Sequence, residues 1–153
     1  MSGGLLPGDL ALLDTGVLVH LLRPSDPIAQ WIESSCALST RSETPLLATV
    51  VEAEVLAIAR YNKWGERRLQ QLRKLLDELV RVEMDRPQII DAYAELYCVA
   101  RSQGQAIHDP NQNDLWIAAT ARATDSVLLT QDPDFDFLHP AYIRIVKVPL
   151  APP

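Results

Sequence analysis

The chain has 153 residues, 48% of them hydrophobic, which supports one domain with a substantial core and excludes a disordered polypeptide. No apolar run approaches ~20 residues, so no membrane-spanning helix is expected. The formal net charge of −6 excludes nucleic-acid binding through a generally basic surface, and any such role must use a local basic patch, a bridging cation, or both.

In chain order, the first segment, "MSGGLLPGDLALLD", lacks a basic n-region and a long apolar h-region, so no secretory signal is expected. Pro7-Gly8 is a turn signal, and Leu10 to Leu13 reads as a buried strand ending at Asp14. Thr15 to Leu22 follows as a helix stopped by Pro24. Asp26 caps a second helix with Pro27 at its first position, running to about Leu38. After a loop over Ser39 to Pro45, "LLATV" (Leu46 to Val50) reads as a strand and "VEAEVLAIARY" as a helix, broken at Trp64-Gly65. "ERRLQQLRKLLDEL" is amphipathic, with a stripe formed by Leu69, Leu72, Leu75, Leu76 and Leu79. Val80 to Met84 alternates like a strand. Pro87 opens a helix that ends near Gln103, with Gly104 in a C′-like position.

"QAIHDPNQ" reads as loop. Asn113 is then an N-cap for an Ala-rich helix over Leu115 to Ala123, with Asp114 in its first turn, where the helix dipole favours an anion. Asp125-Ser126 is turn chemistry, Val127 to Thr130 a short buried strand, and Tyr142 to Val148 a last alternating strand. Strands and helices alternate, which predicts an α/β fold with a mostly parallel sheet flanked by helices. Cys36 and Cys98 have no CxxC or Cys/His companion, which fits a reduced cytoplasmic compartment without disulfides. Cys98, in a helical apolar pattern, reads as a small buried hydrophobe. Trp31, Trp64 and Trp116 read as core, and His20, His108 and His139 lack metal-ligand spacing.

In an open parallel sheet the carboxyl ends of strands and the N-termini of the following helices share one edge. Asp14, Glu54, Asp114 and Asp132 all occupy such positions and are expected in one cleft. Singly, each is more often a cap, a dipole partner or a turn residue. Glu52 is expected to face away into solvent. Together, repelling carboxylates must protonate or bind cations, and hard divalent ions with oxygen ligands, Mg²⁺ or Mn²⁺, suit them.

The segments "LLDTGVLVHLL", "TVVEAEVLAIAR", "NDLWIAATA" and "LLTQDPDF", in this order, resemble the PIN-domain ribonucleases, and most closely the VapC-type toxins of bacterial toxin–antitoxin pairs. The resemblance runs from about Leu10 to Val148 and implies a single PIN domain over residues 1–153. It implies that Asp14 and Asp114 hold Mg²⁺ or Mn²⁺, that Glu54 and Asp132 complete the site, and that Thr15, Asn113 and Thr130 support it. It further implies cleavage of RNA phosphodiesters, a homodimer, and a cognate antitoxin whose Arg reaches the carboxylates. The chain departs from the pattern at Ala48 and Val51, where relatives often carry Ser and Thr, and at Gly16, where Asn or Ser is common.

Arg60, Lys63, Arg67, Arg68, Arg73 and Lys74 are the densest cations in this acidic chain and are expected to contact RNA, a solvated helix face being the plainer alternative. The leucine stripe is either the core face of its helix or part of a dimer contact. Two rival functions are a catalytically silent PIN-like module binding RNA or protein, which an intact acidic quartet disfavours, and a phosphatase or DNA nuclease. The phosphatase lacks its DxD pair, because Asp14 is followed by Thr15-Gly16-Val17.

Overall fold

The computed structural model describes residues 4–105 and 112–153. Its centre is a five-stranded parallel sheet in the order β3-β2-β1-β4-β5, comprising β1 (Ala11–Leu13), β2 (Leu46–Ala48), β3 (Val80–Val82), β4 (Val127–Thr130) and β5 (Arg144–Lys147). Every residue of β1, β2 and β4 is buried, as expected for parallel strands covered on both faces. The edge strands are more open, with Val80 and Arg81 exposed. The α/β parallel architecture read from the sequence is the architecture observed.

The helices are α1 (Thr15–Leu21), α2 (Pro27–Cys36), α3 (Thr49–Tyr61), α4 (Glu66–Asp77), α5 (Pro87–Ser102) and α6 (Gln112–Thr124), with a 3-10 helix at Pro133–Leu138. Local chemistry sets their ends. Asp14 caps α1 by accepting from Thr15 N, and Asp26 caps α2 by accepting from Ile28 N, with Pro27 pre-set for the first turn. Gly104, at φ 66°, stands just past α5 in the left-handed region that glycine adopts without strain. The α5–α6 pair is joined by stacking of Tyr93 on Trp116, with ring centroids 4.2 Å apart.

Several boundaries and burials differ from the sequence reading. Strand β2 ends at Ala48 and α3 begins at Thr49, because this edge turns into a helix with no intervening loop. Ala48, at the N-cap position, has no side chain with which to cap it. Helix α6 begins at Gln112, so Asn113 lies inside its first turn and is not the cap; helix propagation adds one bond per residue and readily extends a predicted start. The loop predicted over "QAIHDPNQ", with His108, falls mainly outside the described residues. Cys98 is exposed, on the outer face of α5, whereas Cys36 is buried, and both are free thiols. Glu52 is half-buried and paired with Arg81 at 2.7 Å. The tryptophans are half-buried, each packed at the margin of the core.

The leucine stripe of α4 faces inward. Leu72 is fully buried with Leu22, Val55 and Ala59, and Leu69, Leu75 and Leu76 are partly buried around them, so this satellite cluster locks α4 onto α1 and α3. Leu72→Ala should therefore cost about 2–4 kcal/mol of unfolding free energy. Leu69→Ala, at the rim, should cost about 1 kcal/mol. Urea denaturation compares them, and equal small costs would mean that the stripe is not core.

Candidate active site

From β1 the chain builds β2 and β3 on one side of the sheet, then returns to place β4 and β5 on the other. The connections leaving β1 and β4 therefore diverge, and a crevice opens beyond their carboxyl ends. Asp14 and Asp132 stand there, each one or two residues past its strand. The cleft has a volume of about 370 Å³ and is lined by Asp14, Thr15, Glu54, Asp114, Asp132 and Leu150 among others. The sheet thus gathers the carboxylates expected from the sequence.

Each acid is held differently. Asp14 N donates to Leu129 O at 3.1 Å, which extends the β1–β4 pairing by one residue. Its Oδ1 accepts from Thr15 N at 2.8 Å and its Oδ2 from Thr130 Oγ1 at 2.6 Å. Burial raises the Asp14 pKa and the charge of Asp132 raises it further, while the bonds from Thr130 and Thr15 pull it down. Glu54, in the second turn of α3, accepts from Thr15 Oγ1 at 2.9 Å. Thr15 thus serves Asp14 through its backbone and Glu54 through its side chain.

Asp132 N donates to Thr130 Oγ1 at 3.0 Å, and its Oδ1 accepts from Asp134 N at 2.8 Å, capping the 3-10 helix. That cap folds Asp134 back toward the cleft. Carboxylate oxygens of Asp114, Asp132 and Asp134 all lie within 4.8 Å of one another. Asp134 was not singled out in the sequence; the available signal was its i+2 spacing from Asp132 across a proline in "DPDF", which a capped turn converts into a shared direction. Asp114 is half-buried in the first turn of α6. Its pKa is pushed up to about 7, first by burial and then by the charges of Asp132, Asp14, Glu54 and Asp134.

Around this centre, Asn113 is half-buried beside Asp114. Lys147 Nζ donates to Asp132 O at 3.1 Å and to Asp136 Oδ1 at 2.9 Å, and so does not neutralise the cluster. Gln131 Nε2 donates to Pro149 O at 2.9 Å, while its Oε1 would lie 3.2 Å from a Cβ added at Gly16. A side chain at Gly16 would require the Gln131 amide to give way by a few tenths of an ångström. The predicted basic residues lie apart from the cleft lining. Arg60, Lys63, Arg67, Arg73 and Lys74 are exposed, and Arg68 is half-buried, its guanidinium 3.6 Å above the Trp64 ring.

A family model described as the PIN domain matches residues 11–138. Among solved structures, the chain resembles VapBC2 from Rickettsia felis, described as bound to a DNA fragment from its promoter, with 22% identity over 89% of this chain and 96% of that one and a TM-score of 0.72. VapBC-1 from nontypeable Haemophilus influenzae shares 20% identity over 90% and 97% of the two chains, with a TM-score of 0.68. VapBC-5 from Mycobacterium tuberculosis, a member of the VapBC family of toxin-antitoxin systems, shares 25% identity over 92% and 99%, with a TM-score of 0.65. No curated protein matches significantly in sequence.

The perturbed Asp114 predicts a pH signature in the protein without divalent ions. Its folded pKa of about 7 lies above an unfolded value near ~3.9, so between these values the folded state keeps a proton that the unfolded chain has lost. The resulting stability is full below pH ~4 and is lost as pH rises through about 7. Relative to Asp114→Asn, the parent chain should lose about 1–2 kcal/mol between pH ~4 and ~8, a figure discounted because the carboxyl is part-exposed to solvent. Denaturation of both proteins in chelator across that range is the measurement, and a constant difference would contradict the assignment.

Proposed function

The chain belongs to the PIN domain family, and from that premise we propose that it is a divalent-metal-dependent endoribonuclease, the toxin of a toxin–antitoxin pair. The observation that carries the proposal is the convergence of Asp14, Glu54, Asp114 and Asp132, with Asp134, on one crevice at the switch point of the sheet. We include β5 in the same domain, because it pairs with β4 although it lies beyond the matched residues.

The donor set fits Mg²⁺ or Mn²⁺. It is all carboxylate oxygen, burial and then the neighbouring acids push Asp114 to about 7, and among the described residues no side-chain cation offsets it. Asp14 and Asp114 would hold the ion, with Glu54 and Asp132 completing the site and Asp134 at its exposed rim. When bound, a divalent ion supplies Lewis-acid activation of water and offsets charge on the phosphodiester. The chain's own residues supply position. Thr130 and Thr15 N aim Asp14, Thr15 Oγ1 aims Glu54, and the turn at Pro133 aims Asp132. Without a divalent ion Asp114, with a pKa near 7, holds a proton below neutral pH, and the ion would have to displace it.

The partner assignments follow the same reading. The carboxylates that take a cation would also accept a guanidinium from an antitoxin segment. Arg60, Lys63, Arg67 and Arg68 supply a basic surface for RNA on an otherwise acidic chain. A homodimer would use exposed apolar residues such as Ile90 and Tyr97 on α5 rather than the internal leucine stripe. No described helix is long and apolar enough to cross a membrane, and the cytoplasmic assignment follows from the toxin–antitoxin reading alone.

Asp14→Asn and Asp114→Asn should each lower divalent-dependent RNA cleavage at least about 100-fold while preserving the fold. Thr130→Val, which loosens Asp14 without removing a carboxylate, should cost about 10–100-fold. A gel assay on total RNA with and without chelator checks all three, and full activity of either Asp variant would sink the assignment. Light scattering at micromolar concentration should give the mass of a dimer, and a monomer mass would remove that part of the reading.

A further inference from the structure

We propose that the chain leaving β5, with Leu150 set in place by a hydrogen bond from Gln131 to Pro149, is the wall of the acidic cleft against which a nucleobase beside the scissile phosphate packs. The inference rests on the ribonuclease reading and adds to it a residue that contacts the substrate next to the cut.

The strand ends that place the acids also place this segment. Val148, one residue past β5, is buried, and its N–H donates to Thr130 O at 2.9 Å, which carries the β4–β5 pairing to the last residue of β4. Thr130 is thus engaged from two sides, its hydroxyl by Asp14 and its carbonyl by the departing chain. Pro149 fixes φ at the point of departure. Its carbonyl accepts from Gln131 Nε2 at 2.9 Å in a part-buried bond. The other end of the same amide, Gln131 Oε1, lies against Gly16, 3.2 Å from where a Cβ would stand. Gln131 therefore sits between the start of α1 and the chain leaving β5, and ties down the residue before Leu150.

Leu150 then lines the cleft together with Asp14, Glu54, Asp114 and Asp132. It is 78% exposed. A lone exposed leucine is ordinary on a protein surface and by itself needs no explanation. Leu150 differs by its place. It belongs to a segment tethered at both preceding residues, and it borders a cleft whose other walls are mostly carboxylates, with Pro133 as a second apolar group.

An RNA strand carries two kinds of group, a charged phosphate and the largely apolar face of a base. The carboxylates, through a cation, suit the first and offer nothing to the second. Leu150 supplies the missing surface, and a base laid on it removes apolar area from water. Single-stranded RNA is the form that can offer such a face, because its bases are free to turn out of the stack. An aliphatic wall accepts any base, since every base has a π-face, and it favours those that cover it most. Leu150 thus sets affinity and a graded preference beside the cut. Gln131 is a positioning residue that acts through it.

The test uses single-stranded RNA of about 12 nucleotides and random sequence, cut by the full chain with Mg²⁺. Rates over a range of RNA concentrations give KM and kcat, and sequencing of the products gives the base preference on each side of the cut. The proteins are the parent, Leu150→Ala, Leu150→Met, Gln131→Ala, the double variant Gln131→Ala/Leu150→Ala, and Leu6→Ala as a control at an exposed leucine outside the cleft lining. Leu150→Ala should raise KM about three- to tenfold, leave kcat within about twofold, and flatten the base preference beside the cut. Leu150→Met, of similar volume, should restore both. Gln131→Ala should shift KM in the same direction, and the double variant should go no further than Leu150→Ala, because the glutamine acts through the leucine. The control should match the parent in KM, kcat and preference. If the parent cuts RNA and Leu150→Ala keeps its KM and base preference, the wall is wrong and the ribonuclease reading stands. A fall in kcat with KM and preference unchanged would mean that the segment only supports the acids, and would likewise overturn it. If the parent cuts no RNA, both readings fail together.

Discussion

The hydroxyl of Thr130 donates to Asp14 at 2.6 Å and accepts from Asp132 N at 3.0 Å, and these two bonds span the place where the sheet changes direction. Thr130 is fully buried at the end of β4 and both bonds are part-buried, so a missing partner there would leave a costly unsatisfied hydroxyl. A parallel sheet holds β1 and β4 in register by backbone bonds, but those bonds stop where the strands stop. Beyond them the chain diverges, and only side chains can set Asp14 against Asp132. One β-branched polar residue does both, its methyl in the core and its hydroxyl at the edge. The position of the cleft is thus a consequence of strand order, and its internal geometry a consequence of this residue and of Thr15.

Within that frame, Asp14 and Asp114 are not equivalent. Asp14 is raised by burial but recovers part of that cost from two donors. Asp114 has burial and four like charges against it, and it rises to about 7. Environments that push carboxyl groups apart in this way are a mark of functional sites, because a structural ion-pair network would have supplied a cation. Lys147 is near enough to have done so, yet its ammonium is engaged by Asp136 and a backbone carbonyl.

Much of this was legible in the residues because the signals were redundant. Buried parallel strands read as continuous apolar runs, and "LALL", "LLA" and "VLLT" are such runs, forming the three interior strands of the sheet. Once the alternation of strand and helix is accepted, topology places Asp14, Glu54, Asp114 and Asp132 together with no further information. What stayed hidden depended on contacts between distant segments. The apolar pattern around Cys98 could not show which face of α5 the neighbouring α6 would cover. Glu52 found Arg81 through the pairing of β2 with β3, a partner remote in sequence. Asp134 joined the cleft through a capped turn whose direction is set by its geometry.

The crowding of the carboxylates also constrains how such a site could be controlled. The cluster can be neutralised by a proton on Asp114, by a divalent ion, or by a guanidinium from another chain, and all three compete for overlapping oxygens. By linkage, whichever occupies the folded state stabilises it in proportion to its preference over the unfolded chain. Each occupant also weakens the other two, since a ligand that requires the deprotonated acid must displace the proton first. A cleft whose most perturbed acid titrates near neutrality therefore holds its cation less firmly as pH falls below about 7. A protein inhibitor inserting an Arg would need no separate binding surface to switch the chemistry off. It would only have to occupy the position that repulsion among the acids has already made favourable, and the geometry enforced by Thr130 and Thr15 would serve catalysis and inhibition alike.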